Sequence, residues 1–120
     1  MRVRAFLVAD EIAITSQGSK LVIEGVFDTV FSETFPARHK SLSTILIFDD
    51  EKNEFKYELF LKHKSKRIKI AGTEFTKIEK SHRIISRLND WVITGEGEHI
   101  FEAELDNKLV ASYPVVAKKI

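Results

Sequence analysis

The stretch Lys20-Leu-Val-Ile-Glu-Gly-Val-Phe-Asp-Thr-Val-Phe-Ser-Glu-Thr-Phe-Pro36 decides how the rest of the chain is read. Leu21, Ile23, Gly25 and Phe27 fall on one face at a period of two, with Glu24 and Asp28 on the other, which is the pattern of a half-buried strand. Gly25 inside that pattern weakens the strand locally and marks a bulge or a close backbone approach. Asp28 to Ser41 then loses clean periodicity, although it carries Val30, Phe31 and Phe35 before Pro36. Working backwards, Arg2 to Ala9 reads as a strand whose adjacent Phe6, Leu7 and Val8 require cover on both faces. Ile12 and Ile14 extend its period. Ser16-Gln17-Gly18-Ser19 makes a turn, so the Lys20 strand returns antiparallel to the first.

Working forwards, Leu42 to Phe48 is a short apolar strand that ends in the turn Asp49-Asp50-Glu51-Lys52-Asn53. Phe55, Tyr57, Leu59 and Leu61 alternate with polar residues, Phe60 being the odd member. A basic linker leads to a short strand at Arg67–Ala71 that stops at Gly72. Phe75 to Leu88 satisfies both a helical spacing and a period of two; a strand over Ser81–Leu88 fits the rest of the chain better, with a short helix near Thr73–Lys80. Gly95-Glu96-Gly97 is a turn, and Glu98–Leu105 alternates with His99, Phe101, Ala103 and Leu105 inward. Asp106-Asn107-Lys108 closes a hairpin onto Leu109–Ala117, where Pro114 places the strand locally at an edge. Seven or eight short strands with frequent turns predict an all-β fold. The expected form is an antiparallel β-sandwich of immunoglobulin or fibronectin character spanning residues 1–120 as one domain, with a small β-barrel as the alternative.

Composition narrows the function classes. With 43% hydrophobic and 31% charged residues the chain is that of a folded protein. The absence of cysteine removes disulfides, thiolate metal sites and cysteine nucleophiles, and fits a reducing, cytoplasmic setting. A formal net charge of +1 provides no global field toward nucleic acid or anionic membrane. Arg2 and Arg4 precede an apolar run too short for a signal core, and no run approaches the roughly twenty apolar residues of a membrane helix.

Three groups of residues resemble an uncharacterised family of short bacterial proteins, a domain of unknown function. They are Phe6-Leu7-Val8-Ala9-Asp10; Gly18-Ser19-Lys20-Leu21 through Gly25-Val26-Phe27-Asp28 to Phe35-Pro36; and Gly97-Glu98-His99-Ile100-Phe101-Glu102-Ala103 with Ala111-Ser112-Tyr113-Pro114-Val115-Val116. His99 stands where an aromatic such as Tyr is expected. The resemblance implies a compact β-sandwich and carries over no activity, ligand or catalytic residue.

Side-chain chemistry offers few sites. His39, His63, His82 and His99 lack the spacings that gather imidazoles on one metal and read as scattered boundary residues. Asp49, Glu51 and Asn53 mimic the first, third and fifth ligands of a calcium loop, but Glu54 and Phe60 occupy positions that demand Gly and a bidentate Glu. No nucleophile elbow, phosphate loop or dinucleotide fingerprint occurs, so no catalytic residue and no cofactor are expected. Two local features remain. Lys62, Lys64, Lys66, Arg67 and Lys69 form a basic run that suits either anion binding or protection of an exposed strand edge. Phe31 and Phe35, followed by Arg38 and His39, make an aromatic-basic connection that either covers the end of the sandwich or recognises another protein. The expectation is a non-catalytic protein-interaction or assembly module that binds another protein or itself. The alternative is binding of an anionic ligand or nucleic acid through Lys62–Lys69, and an enzyme or small-ligand binder ranks below both.

Overall fold

The computed structural model describes residues 1–15, 20–52, 54–76 and 81–120. Nine strands run in chain order: β1 Arg2–Ile14, β2 Leu21–Val26, β3 Thr29–Ser32, β4 Ala37–Asp49, β5 Glu54–His63, β6 Lys66–Thr76, β7 Ser81–Ile93, β8 Gly97–Leu105 and β9 Lys108–Lys119. They form a four-stranded sheet in the order β2-β1-β4-β7 and a five-stranded sheet in the order β3-β9-β8-β5-β6. All pairs are antiparallel except β3 with β9. The sheets are separate and open-edged, which disposes of the closed barrel. The described residues contain no helix.

The main core lies between the sheets and draws on both: Phe6, Val8, Leu42, Leu46 and Phe48 from one, Phe55, Tyr57, Leu59, Phe101, Ala103 and Val115 from the other. Period-two alternation explains this at once, because burying one face of each sheet removes large aromatic and aliphatic surfaces from water. A second cluster occupies the opposite face of the four-stranded sheet. Ala9, Ile12 and Ile45 are buried there, with Leu7, Leu21, Ile23, Ile47 and Ile85 packed against them. The β1–β2 hairpin therefore folds its far end back over its own sheet, and Arg87 Nη2 secures it by donating to the Ile12 carbonyl at 2.9 Å. Adjacent apolar residues in β1 thus find cover on both faces.

Gly25 sits where this arm bends. Its φ is +68°, and a Cβ there would lie 2.4 Å from Asp10 Oδ2. The β1–β2 register stays constant past it, so it is a close approach and not a bulge.

Several expectations need correction. The aperiodic Asp28–Ser41 contains β3 and the first part of β4, which brings the strand number to nine. β3 is only four residues long and is held on one side by β9, so it has no room to display a period. β6 does not stop at Gly72 but continues to Thr76 in register with β5, so Thr73–Thr76 is strand where the spacing also allowed a short helix. The segment 77–80, the Ser16–Ser19 turn and Asn53 lie outside the described residues. The strand at Ser81–Leu88 is present and continues to Ile93. Asp106 and Asn107, both at positive φ, form the tight hairpin turn between β8 and β9. Pro114 lies beyond the Val116–Lys119 stretch that pairs with β3, on a locally open edge.

Candidate functional site

The aromatic-basic connection divides into residues that face inward and residues that face out. Val30 and Phe35 pack against the main core, with Phe27 beside them. Phe31 has the opposite parity to Val30 on β3 and is 61% exposed. Arg38 is exposed, its Nε 3.8 Å from Asp90 Oδ1. His39 is half-buried; its Nε2 donates to Asp10 Oδ1 at 3.0 Å, and its ring lies 5.0 Å from Phe27 and 6.2 Å from Trp91. Of the two phenylalanines, only Phe31 is free to meet another molecule.

The basic run is divided by ion pairing. Arg67 lies over the Phe60 ring, 3.7 Å from its centroid, and reaches across β5 to donate to Glu102 at 2.8 Å and Glu104 at 2.6 Å. Lys69 and Lys56 both approach Glu58, at 3.3 and 3.6 Å. Against the opposing effect of burial, these two lysines hold the Glu58 carboxyl below its ordinary range. Lys62, Lys64 and Lys66 carry no ion pair among the described residues. Lys62 and Lys64 border a shallow depression of about 380 Å³ with His63, but Glu96 and Glu98 share it.

Two of the four histidines are brought together. Strand pairing places His63 opposite His99, and their rings stack at 3.8 Å with an interplanar angle of 4°. His63 Nδ1 donates to the Glu98 carbonyl at 2.9 Å and His99 Nδ1 to the Gly97 carbonyl at 3.0 Å, so both rings carry their proton on Nδ1 when neutral. Each Nε2 lone pair lies in its own ring plane. Two parallel planes 3.8 Å apart do not converge on one metal, so the pair is not a chelate. His99 is 2% exposed and its Nε2 has no hydrogen-bond partner among the described residues. Burial, followed by the neighbouring charges of His63 and Lys64, holds His99 below its ordinary value despite the Gly97 carbonyl. His82 is buried against Phe48 and Phe55, within the core. Nothing in the sequence spacing announces the stack, since it depends on the register of two strands that are not consecutive.

Trp91 packs edge-on to His99 at 5.7 Å and to Phe101 at 5.4 Å. It is 7% exposed, and its indole N–H finds no acceptor among the described residues. It lines a groove of about 330 Å³ at the open seam between β6 and β7, the outermost strands of the two sheets. Leu61 and Phe101 belong to its floor strands, Ile68 and Ile70 to one wall, and Leu88 to Val92 to the other. Ile68 at 57% and Val92 at 49% exposure leave the walls apolar and wet. Sequence reasoning did not identify this groove. The signal available was Ile68 and Ile70 alternating among lysines, together with the sole tryptophan of the chain.

The chain belongs to a family described as a family of unknown function, DUF6941, whose family model matches residues 4–118. No curated protein matches it.

Proposed function

From membership of a family that assigns no activity, we propose that this protein is a non-catalytic protein-interaction or assembly module that engages its partner at the β6–β7 seam. The observation that carries the reading is the groove of about 330 Å³ at that seam, with Ile68 and Val92 exposed on its walls. A lining of large apolar side chains with Asn89 and Asp90 at one wall is the composition of a recognition site.

The strand order supports an immunoglobulin or fibronectin character for the sandwich. β1, β4 and β7 neighbour one another as the first, second and fifth strands of that fold do, and β9-β8-β5-β6 follows the order of the facing sheet. We place the protein in a bacterial cytoplasm, a reading supported by the lack of cysteine and by the family resemblance. No helix among the described residues is long and apolar enough to cross a membrane.

The test is partner capture with the full chain and Ile68→Asp. Ile68 is exposed, so the substitution leaves folding intact; a captured partner that survives it unchanged removes the groove from the proposal. The anion-binding alternative rests on Lys62, Lys64 and Lys66. It predicts retention on a phosphate matrix that falls steeply with salt, and salt-independent passage disposes of it.

A further inference from the structure

We infer that the β6–β7 groove receives Phe31 from a second copy of this chain, so that copies join head to tail. The inference rests on the interaction reading above and names the partner.

The two surfaces complement each other in shape and polarity. Phe31 is among the most exposed large apolar side chains of the chain, on a strand at one edge of the five-stranded sheet. The groove lies at the opposite edge of that sheet, four strand spacings away, or about 19 Å at ~4.8 Å each. A copy therefore cannot fill its own groove. The volume is adequate, since a cavity of about 150 Å³ already holds a benzene ring and this groove offers about 330 Å³.

The backbone of the knob is open as well. Asp28 and Ser32 direct their carbonyls at β9, accepting from Val116 N at 2.8 Å and Ile120 N at 3.0 Å. Alternation along the ladder then turns the Phe31 carbonyl to the open side of β3, where no strand pairs with it. Phe31 thus presents a phenyl ring to an apolar groove and a free carbonyl beside it.

Charge agrees with this direction. Exposed Asp28 and Glu33 flank Phe31, and neither makes an ion pair among the described residues. On the groove side Lys66 stands two residues before Ile68 on the same face of β6, also without an ion pair.

Insertion of a side chain fits better than addition of a strand. β6 carries Lys66, Arg67 and Lys69 and a register shift against β5 at Leu59/Phe60, and β7 carries Asp90 at φ +58°. Both are devices that discourage edge-to-edge pairing. The contact is heterologous, because two different patches meet, and such contacts build rings or open chains in place of closed two-fold dimers.

The test is sedimentation of the full chain over a wide concentration range, with Phe31→Ala and Ile68→Asp as variants. Circular dichroism confirms the fold of each. The wild type is expected to grow in mass without a plateau at the dimer, and each variant alone to associate at least tenfold more weakly. Mixing the two is decisive. Phe31→Ala retains a groove and Ile68→Asp retains a knob, so the mixture should form one-to-one dimers and nothing larger, with a shift in the emission of Trp91, the single tryptophan. A wild type that stays monomeric, or a mixture that forms no dimer, overturns the inference. If the monomeric wild type still captures a different protein through Ile68, the interaction reading stands and the second-copy partner falls.

Discussion

His99 is placed among groups that oppose its positive charge. It is buried, it stacks on His63, and Lys64 lies near; the Gly97 carbonyl alone favours the charged form. Its value in the folded chain is therefore below the ordinary 6.5, while the unfolded chain returns to about that figure. Between the two values the unfolded state binds more protons, so stability is fully present above about pH 6.5 and declines as pH falls toward the folded value. Thermal melts between about pH 7.5 and 5 should show the midpoint of the wild type falling more steeply than that of His99→Phe, which has nothing to titrate there. Parallel profiles would mean that burial of this imidazole is not what opposes its charge. At this scale the sequence was partly legible. Alternation in Phe55–Leu61 and His99–Leu105 identified the inward residues, because period two is a local property. The stack itself was not legible, because it depends on which two strands become neighbours.

At the scale of the element, the β1–β2 arm shows how one glycine permits a bend. Gly25 adopts a φ of +68° against Asp10, and the apolar residues beyond it, Ile12, Leu21 and Ile23, fold onto Ala9 and Ile45. Gly25→Ala should destabilise the chain by roughly 1–3 kcal/mol, from the cost of left-handed backbone plus the contact with Asp10. Adding Asp10→Ala should recover only the contact part, because the backbone cost remains. Chemical denaturation of the two variants checks this; full recovery in the double variant would place the whole effect in the clash. The strand pattern around Gly25 was readable, as was the need for close approach. What could not be read was the start of β4 at Ala37, where Arg38 and Lys40 alternate with a half-buried His39 whose neighbours come from β1, β7 and the connection between β2 and β3. The extension of β6 past Gly72 was hidden for the same reason: its polar alternation is held by the β5 ladder and not by burial.

Across the whole molecule, the two clusters imply two levels of protection. The main core joins both sheets, and β4, β5 and β8 are paired on both sides along much of their length. The arm beyond Asp10 is paired only within its own hairpin and rests on a smaller cluster, since the β1–β4 register ends at Ala9↔Ser43. Local opening needs to break only those contacts, so it should occur at a free energy well below that of global unfolding. Native-state hydrogen exchange should accordingly find the backbone amides of residues 11–14 and 21–25 exchanging faster than those at Phe6–Val8, Thr44–Phe48 and Leu59–Leu61. Addition of low denaturant should accelerate the inner amides and leave the arm nearly unchanged, because opening the arm exposes little surface. If arm and centre instead exchange together at every denaturant concentration, the second cluster is an integral part of one cooperative core. The bend at Gly25 would then couple the two faces of the sheet and would not separate them.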